Sequence, residues 1–431
     1  MTIHQAIASP GCGCDSRDML HSLVSIDEAL ARIAAHTPPV GQTEAVPLGS
    51  AVGCILAQPV QARAAAPSFD NAAMDGYAVA TSTFAGPGPW DLRVVARVAA
   101  GQAGAAPLAG DEAARIFTGA PVLDGADAVV MQEDVRREGE VIRLSRRPAP
   151  GQNIRRAGSD MVKGATVLDR GRRLGPREVA ACAAAGAGLL CVRRRLRVAL
   201  LVTGDEVRRA GEAREAAQIW DVNTPMLTAS LASAGVEIVA SAHGADSLAG
   251  IVCQLEEMAA QADLVVTTGG ISVGEEDHVR PAVMALGGEL LFSGVAIKPG
   301  KPVSAGRIGP AFWLGLPGNP VSAFVTWQLF GMALVRALTG ERGGAPTQRH
   351  VVTASAIRRK PGRCELRPAT LVGFDAQGRE IVRFDQATHS ARVGLLALAD
   401  GLMLLPADAE SLPTGALVEF LPFCQSRGDR T

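Results

Sequence analysis

From Leu196 onward, short β-branched runs alternate with longer segments of helical spacing. LRVALLVTG (196–204) predicts a strand, PMLTASLASAG (225–235) a helix closed by glycine, and VEIVASA (236–242) a second strand. A long helix over 246–262 leads to the strand DLVVTTG (263–269). The helix HVRPAVMALGG (278–288) and the strand ELLFSGVAI (289–297) follow. Strands alternating with helices of this length predict a parallel sheet wound by right-handed crossovers. Asn319-Pro320 then opens a strongly apolar helix to about Leu338, with Asn as N-cap and Pro in the first turn.

The flanks have a different rhythm. Ser25–Ile33 (SIDEALARI) starts like a capping box, with Glu28 three residues after Ser25, and continues with helical spacing. Between about 75 and 148 the apolar runs shorten to YAVA (77–80), LRVVARVA (92–99), AVVMQ (128–132) and VIRL (141–144). Gly, Pro and Asp turns separate them, which predicts a β-rich region. Pro176 to Leu190 reads as a helix. Beyond about 345 the chain returns to short strands and turns, a small β barrel or sandwich. Residues 1–22 read as a loose tail.

With 431 residues the chain is too long for one core. Hydrophobic content of 48% and charged content of 20% place it among soluble globular proteins. A net charge of −1 gives no pull toward nucleic acid or an acidic membrane, and 4% aromatics leave little for base-stacking platforms. The most apolar Ala/Gly-rich stretch, 179–192, is too short to span a bilayer and abuts Arg193-Arg194-Arg195. Without a basic segment followed by an apolar one at the start, a cytoplasmic location is expected. Most of the eight cysteines sit in apolar surroundings as small core residues. Cys12 and Cys14 could hold a soft metal but have no second pair nearby.

The densest chemistry lies in DLVVTTGGISVGEED (263–277). Gly269, Gly270 and Gly274 let backbone N–H groups approach a bulky anion, with Ser272 among them. Glu275, Glu276 and Asp277 follow, carboxylates suited to a divalent cation. In an open α/β sheet, ligands bind beyond the carboxyl ends of the strands. Thr203-Gly204-Asp205-Glu206, Lys298-Pro299-Gly300-Lys301-Pro302 and Leu316-Pro317-Gly318-Asn319-Pro320 are placed there with the glycine loop. Carboxylates, ammonium groups, glycines and a helix start at one edge predict a site for phosphate or another oxyanion. Residues 67–78, with Asp70 and Asp75, read unaided as an Asx-rich turn capping a strand. His243, His278 and His389 are isolated, and Ser272 lacks a paired base. Positioning and electrostatics are the expected catalytic mode.

Eight strings in order then resemble the molybdopterin molybdenumtransferases, the MoeA family that includes the C-terminal domain of gephyrin. They are FDNAAMDGYAV (69–79), IFTGAPVLDGADAVV (116–130), GQNIRRAGSD (151–160), LVTGDEV (201–207), WDVN (220–223), TTGGISVGEED (267–277), AIKPGKPV (296–303) and GLPGNPVSA (315–323). The resemblance spans about residue 25 to the C-terminus. It implies an elongated multidomain chain of α/β and β-rich domains. Expected are a flexible tail over 1–19, a connecting domain from 20–60 and 150–195, and an inserted β domain over 61–149. A doubly wound α/β domain over 196–343 would resemble the molybdopterin adenylyltransferases, and 344–431 would form a barrel-like β domain.

The implied reaction is Mg²⁺-dependent insertion of molybdate into adenylylated molybdopterin with release of AMP. The implied assembly is a homodimer with its active site between subunits, open to other proteins of molybdenum-cofactor synthesis. Carried over position by position, the acidic and hydroxyl residues are Asp70, Thr118, Asp160, Glu206, Asp246 and Asp277, with Glu206 and Asp277 as metal ligands. The binding residues are Gly269, Gly270, Ser272, Gly274, Lys298, Lys301, Pro302, Ser322, Arg367 and Ser390. Gly294 stands where relatives often carry a cation, His389-Ser390-Ala391 departs from the usual Gly-Ser, and Arg363 competes with Arg367 on spacing. Trp220 replaces a customary Tyr and is expected to pack. Adenylyl transfer to molybdopterin and a non-catalytic dimeric scaffold are the alternative readings. The β regions, the chain length and the intact acidic and lysine loops favour the insertase.

Overall fold

The β-branched run Leu196–Thr203 becomes the second strand of a six-stranded sheet in the computed structural model, which describes residues 23–102, 106–232, 235–244, 247–271, 277–343, 349–385 and 392–423. The sheet order is Val236–Gly244, Leu196–Thr203, Leu264–Thr268, Ala311–Leu316, Ser304–Ile308, Glu289–Ser293. Its first four strands are parallel. Helices Asn223–Leu231, Leu248–Gln261 and Val279–Ala285 lie between them in sequence. Leu196–Thr203 and Leu264–Thr268 are buried almost throughout, because helices cover both faces.

The last third of the sheet departs from the expected parallel winding. Ser304–Ile308 and Ala311–Leu316 form an antiparallel hairpin, and Glu289–Ser293 pairs antiparallel on its edge. The Gly309-Pro310 turn marks that hairpin in the sequence. The expected strand over 289–297 is divided: Glu289–Ser293 stays in this sheet, while Ile297–Lys298 pairs with Cys364–Glu365 of another.

The apolar helix after Asn319 runs as Pro320–Thr326, a π turn at Trp327–Gly331, and Met332–Thr339. Among the described residues, Pro320–Thr339 is the stretch long and apolar enough to cross a membrane. Here it lies largely buried, with Trp327, Phe330 and Leu334 in the core. Helix Ile26–His36 packs against its end, capped as the sequence predicts by Ser25 Oγ, which accepts from the Glu28 N–H at 3.1 Å.

A second six-stranded sheet lies wholly between residues 76 and 144, in the order Ala128–Met131, Gly76–Val79, Glu112–Ile116, Trp90–Val98, Val141–Leu144, Val135–Glu138. After residue 348, strands Cys364–Phe374, Glu380–Phe384, Arg349–Thr353, Leu417–Pro422 and Gly401–Leu405 pair in a ring. Pairing of Glu365–Ala369 with Gly401–Leu405 closes the ring, so the C-terminal element is a closed five-stranded barrel rather than a sandwich.

Candidate functional site

Two strand ends set the geometry. Leu196–Thr203 runs into Gly204, whose carbonyl meets His243 Nε2 at 2.9 Å, and the Glu206 carboxylate folds back over it. Leu264–Thr268 runs into Gly269, where φ is +91° and an added Cβ would stand 2.7 Å from Thr203 Oγ1 and 2.8 Å from Thr203 O. Only glycine allows the two loops to nest this closely. Asn223, at the start of its helix, locks them to a third: its amide N–H₂ donates to Thr268 Oγ1 at 2.7 Å and to Gly318 O at 2.8 Å. Thr268 Oγ1 in turn donates to Pro317 O at 3.2 Å.

These loops wall a cleft of about 630 Å³. Glu206, Gly269, Gly270, Asp277 and Pro302 all line it, together with Trp220, Asn223 and the Pro317–Pro320 turn. Carboxylates, a tight glycine turn and a helix start therefore do share one edge of the sheet. Val393 reaches the same cleft from the C-terminal region. Trp220 does not pack into a core: it is 51% exposed on the cleft wall.

The lysine loop is shared with the barrel. Lys298 pairs with Glu365 Oε1 at 3.4 Å. Glu365 is 1% exposed and also meets Arg367 Nε at 3.1 Å and Arg359 Nε at 3.2 Å. One buried carboxylate thus faces three cations. The Arg367 guanidinium also lies over Phe384 and donates to Asp385 O at 3.3 Å. Arg363 instead donates to Ile297 O at 3.4 Å, and Arg367, like Arg359, shares Glu365 with Lys298. Lys301 is exposed, and Ser322 is buried in the first turn of its helix. Neither Lys298, Lys301, Ser322 nor Arg367 lines the cleft itself. Gly294 has a structural reason for carrying no cation: its φ is +89°, and an added Cβ would stand 2.6 Å from Leu23 Cδ2.

Asp70, Thr118 and Asp160 lie on the N-terminal segments, outside that lining. Asp70 accepts from the Ala157 N–H at 2.8 Å and from Arg156 at 2.5 Å, and these donors hold its carboxyl below the ordinary range. Thr118 donates both its N–H and its hydroxyl to Asp75 Oδ1, each at 2.8 Å, and the Asp75 carboxyl is lowered by those same bonds. Asp160 is exposed, its backbone N–H bonded to Ala66 O at 3.0 Å. Asp246, Ser272, Gly274 and Ser390 fall outside the described residues.

Sequence reading did not single out Glu365, a lone acid in the strand CELRP with no spacing signal, or Asp75 as the partner of Thr118. It also gave Asn223 no role. For Asn223 a signal existed in the WDVN string, immediately before a helix.

Comparison with known proteins agrees with this arrangement. Residues 24–186 match the MoeA N-terminal region (domain I and II), 199–337 a probable molybdopterin binding domain, and 350–423 the MoeA C-terminal region (domain IV). The chain is 37% identical over 321 residues to the molybdopterin molybdenumtransferase of Haemophilus influenzae, covering 74% of this chain and 79% of that one. It is 34% identical over 383 residues to molybdopterin molybdenumtransferase 2 of Mycobacterium tuberculosis, covering 87% and 93%. The crystal structure of the molybdopterin biosynthesis moeA protein from Pyrococcus horikoshii superposes with a TM-score of 0.80 at 29% identity, covering 93% of this chain and all of that one. The three matched regions in order, these identities and the shared fold show that the chain belongs to the MoeA family of molybdopterin molybdenumtransferases.

Proposed function

We propose that this chain inserts molybdenum from molybdate into adenylylated molybdopterin and releases AMP. The observation that carries the reading is a pair of charge sets linked by the lysine loop, whose Pro302 lines the same cleft as Glu206 and Asp277. Glu206 and Asp277 stand on one cleft wall, and Lys298 and Arg367 gather on Glu365 where the barrel meets the α/β sheet. The Pro317–Pro320 helix start offers backbone N–H groups to a phosphoanhydride, beside a glycine turn whose Gly269 N–H is held by Leu316 O. Lys298, Lys301 and Arg367 would hold the tetrahedral dianion for attack by the dithiolene sulfurs, so catalysis is positioning and charge neutralisation.

Mg²⁺ fits the donor set. It prefers one or two carboxylates and completes its shell with substrate phosphate and water. Glu206 and Asp277 would hold the ion, which when bound supplies charge neutralisation at the phosphoanhydride.

Asp70, Thr118 and Asp160 are held in place yet do not line this cleft, which supports a homodimer in which the second copy presents them. The buried free thiols of Cys54, Cys182 and Cys364 suit the reducing cytoplasm.

The test is incubation of purified protein with adenylylated molybdopterin, molybdate and Mg²⁺. Release of AMP together with molybdenum-loaded pterin is the expected result, and its absence rejects the reading. Formation of adenylylated pterin from ATP and molybdopterin would instead assign adenylyl transfer.

A further inference from the structure

Among the described residues, Trp220 is the sole aromatic lining the 630 Å³ cleft, in a chain with 4% aromatics. It sits on a short ribbon in which Val207–Arg208 pairs with Ile219–Trp220. The Ile219 N–H donates to Glu206 O at 2.8 Å, and the Asp221 N–H to Arg208 O at 2.6 Å, so the backbone on both sides of Trp220 is tied to the loop that carries Glu206. Its Nε1–H donates to Glu212 O at 3.2 Å, and the Arg214 guanidinium lies 4.9 Å from its ring centre. The ring is therefore fixed in orientation, yet it remains 51% exposed.

Three residues further along the chain and lining the same cleft, Asn223 is 7% exposed. Both of its amide bonds to Thr268 and Gly318 use the N–H₂ group, which fixes the amide's orientation. Its Oδ1 is buried and accepts no hydrogen bond among the described residues. An orphaned buried acceptor carries a desolvation cost that an incoming N–H donor would remove.

We infer that Trp220 is a stacking platform for a flat, amino-bearing heteroaromatic ring of the substrate, and that Asn223 Oδ1 accepts from that ring's N–H. The inference rests on the proposed reading of the cleft, whose adenylylated pterin carries two such rings, adenine and pterin. An exposed, oriented indole offers every such ring a π face, and the amide acceptor adds selection for the amino group.

The experiment measures binding of AMP and of pterin-6-carboxylate to the full-length protein. The readouts are calorimetry and quenching of tryptophan emission. Of the other tryptophans, Trp313 and Trp327 are fully buried and Trp90 is half-buried in the inserted sheet. Quenching that disappears in Trp220→Phe thus reports contact with Trp220. Trp220→Ala is expected to weaken at least one ligand by about 5- to 150-fold, the range of a base–aromatic stack, while Trp220→Phe stays within about three-fold. Loss in one arm names the ring seated on Trp220, and loss in both means that either ring can occupy it. Inosine monophosphate, or lumazine-6-carboxylate in the pterin arm, lacks the amino group and is expected to bind about ten-fold more weakly.

Affinities unchanged in both arms on Trp220→Ala would overturn the platform while leaving the proposed function standing. Equal binding of the amino-free ring would remove Asn223 from ring recognition. Failure of the unaltered protein to bind either ligand would overturn the reading of the cleft, and the platform with it.

Discussion

At the residue scale, Glu365 is where charge and burial conflict most sharply. It holds Lys298, Arg359 and Arg367 around one carboxylate that is 1% exposed. Removing one member of a buried ionic group strands the others, so Glu365→Ala is expected to cost about 3–5 kcal/mol of stability. Urea denaturation checks it, and an unchanged midpoint would show that Lys298 and Arg367 need no carboxylate between them. Lys298 is the opposite case, with a half-exposed side chain whose loss leaves Arg359 and Arg367 still paired. Lys298→Ala should leave the fold intact and raise the molybdate concentration needed for half-maximal turnover by about ten-fold, the worth of one charge-assisted contact. An unchanged molybdate dependence would remove Lys298 from the oxyanion site. The lysine was legible in the sequence because it sits in a Pro- and Gly-rich loop following an apolar run. Glu365 was not, because an acid between apolar neighbours acquires its partners only when distant segments meet.

At the scale of elements, three parallel strands of the α/β sheet, Leu196–Thr203, Val236–Gly244 and Leu264–Thr268, were legible because each is a short run rich in β-branched residues with helical spacing beside it. The antiparallel hairpin Ser304–Ile308 with Ala311–Leu316 was not read as strands at all, since SAGRI and AFWLGL are short and carry a single β-branched residue between them. Barrel closure was likewise undetermined, because it depends on pairing between Glu365–Ala369 and Gly401–Leu405, far apart in sequence. Asp263 shows how one side chain fixes such pairing at the start of two parallel strands. Its carboxylate accepts two bonds from Arg194, each at 2.7 Å, and one from the Arg197 N–H at 2.9 Å. Burial pushes the Asp263 carboxyl up, but Arg194 and the Arg197 N–H outweigh it and hold it below its ordinary value. A depressed folded-state value means that the stabilisation is complete above the unfolded carboxyl range, about pH 4, and is lost as pH falls through the folded value. Asp263→Asn should therefore be less stable than the unaltered chain at pH 7, with the gap narrowing below about pH 4. Thermal unfolding across pH measures this. A gap independent of pH would assign the bonds' contribution to shape rather than charge.

At the scale of the whole molecule, the apolar cores do not follow the chain's linear order. One continuous core contains Ile26 and Ile33 of the N-terminal helix, Leu200, Val266 and Leu314 of the α/β sheet, and Trp327 and Phe330 of the apolar helix. It also contains Cys364, Leu402 and Leu421 of the barrel. The inserted sheet keeps separate cores, around Ile116 and Val129 on one side and Val79 and Ile142 on the other. A shared core couples unfolding, and separate cores permit independent unfolding. Calorimetry should therefore resolve at least two transitions. Leu402→Ala in the barrel and Leu314→Ala in the α/β sheet should lower the same one, each by about 2–5 kcal/mol of stability. Ile142→Ala should move another. If Leu402→Ala left the transition lowered by Leu314→Ala untouched, the barrel would be an independent unit. That result would bear on chemistry as well as folding. Lys298 belongs to the α/β segment and Glu365 and Arg367 to the barrel, joined by pairing of Ile297–Lys298 with Cys364–Glu365. An oxyanion held by both requires their separation to stay fixed to within a hydrogen bond's tolerance. A core that makes the two parts melt together is the physical condition for that.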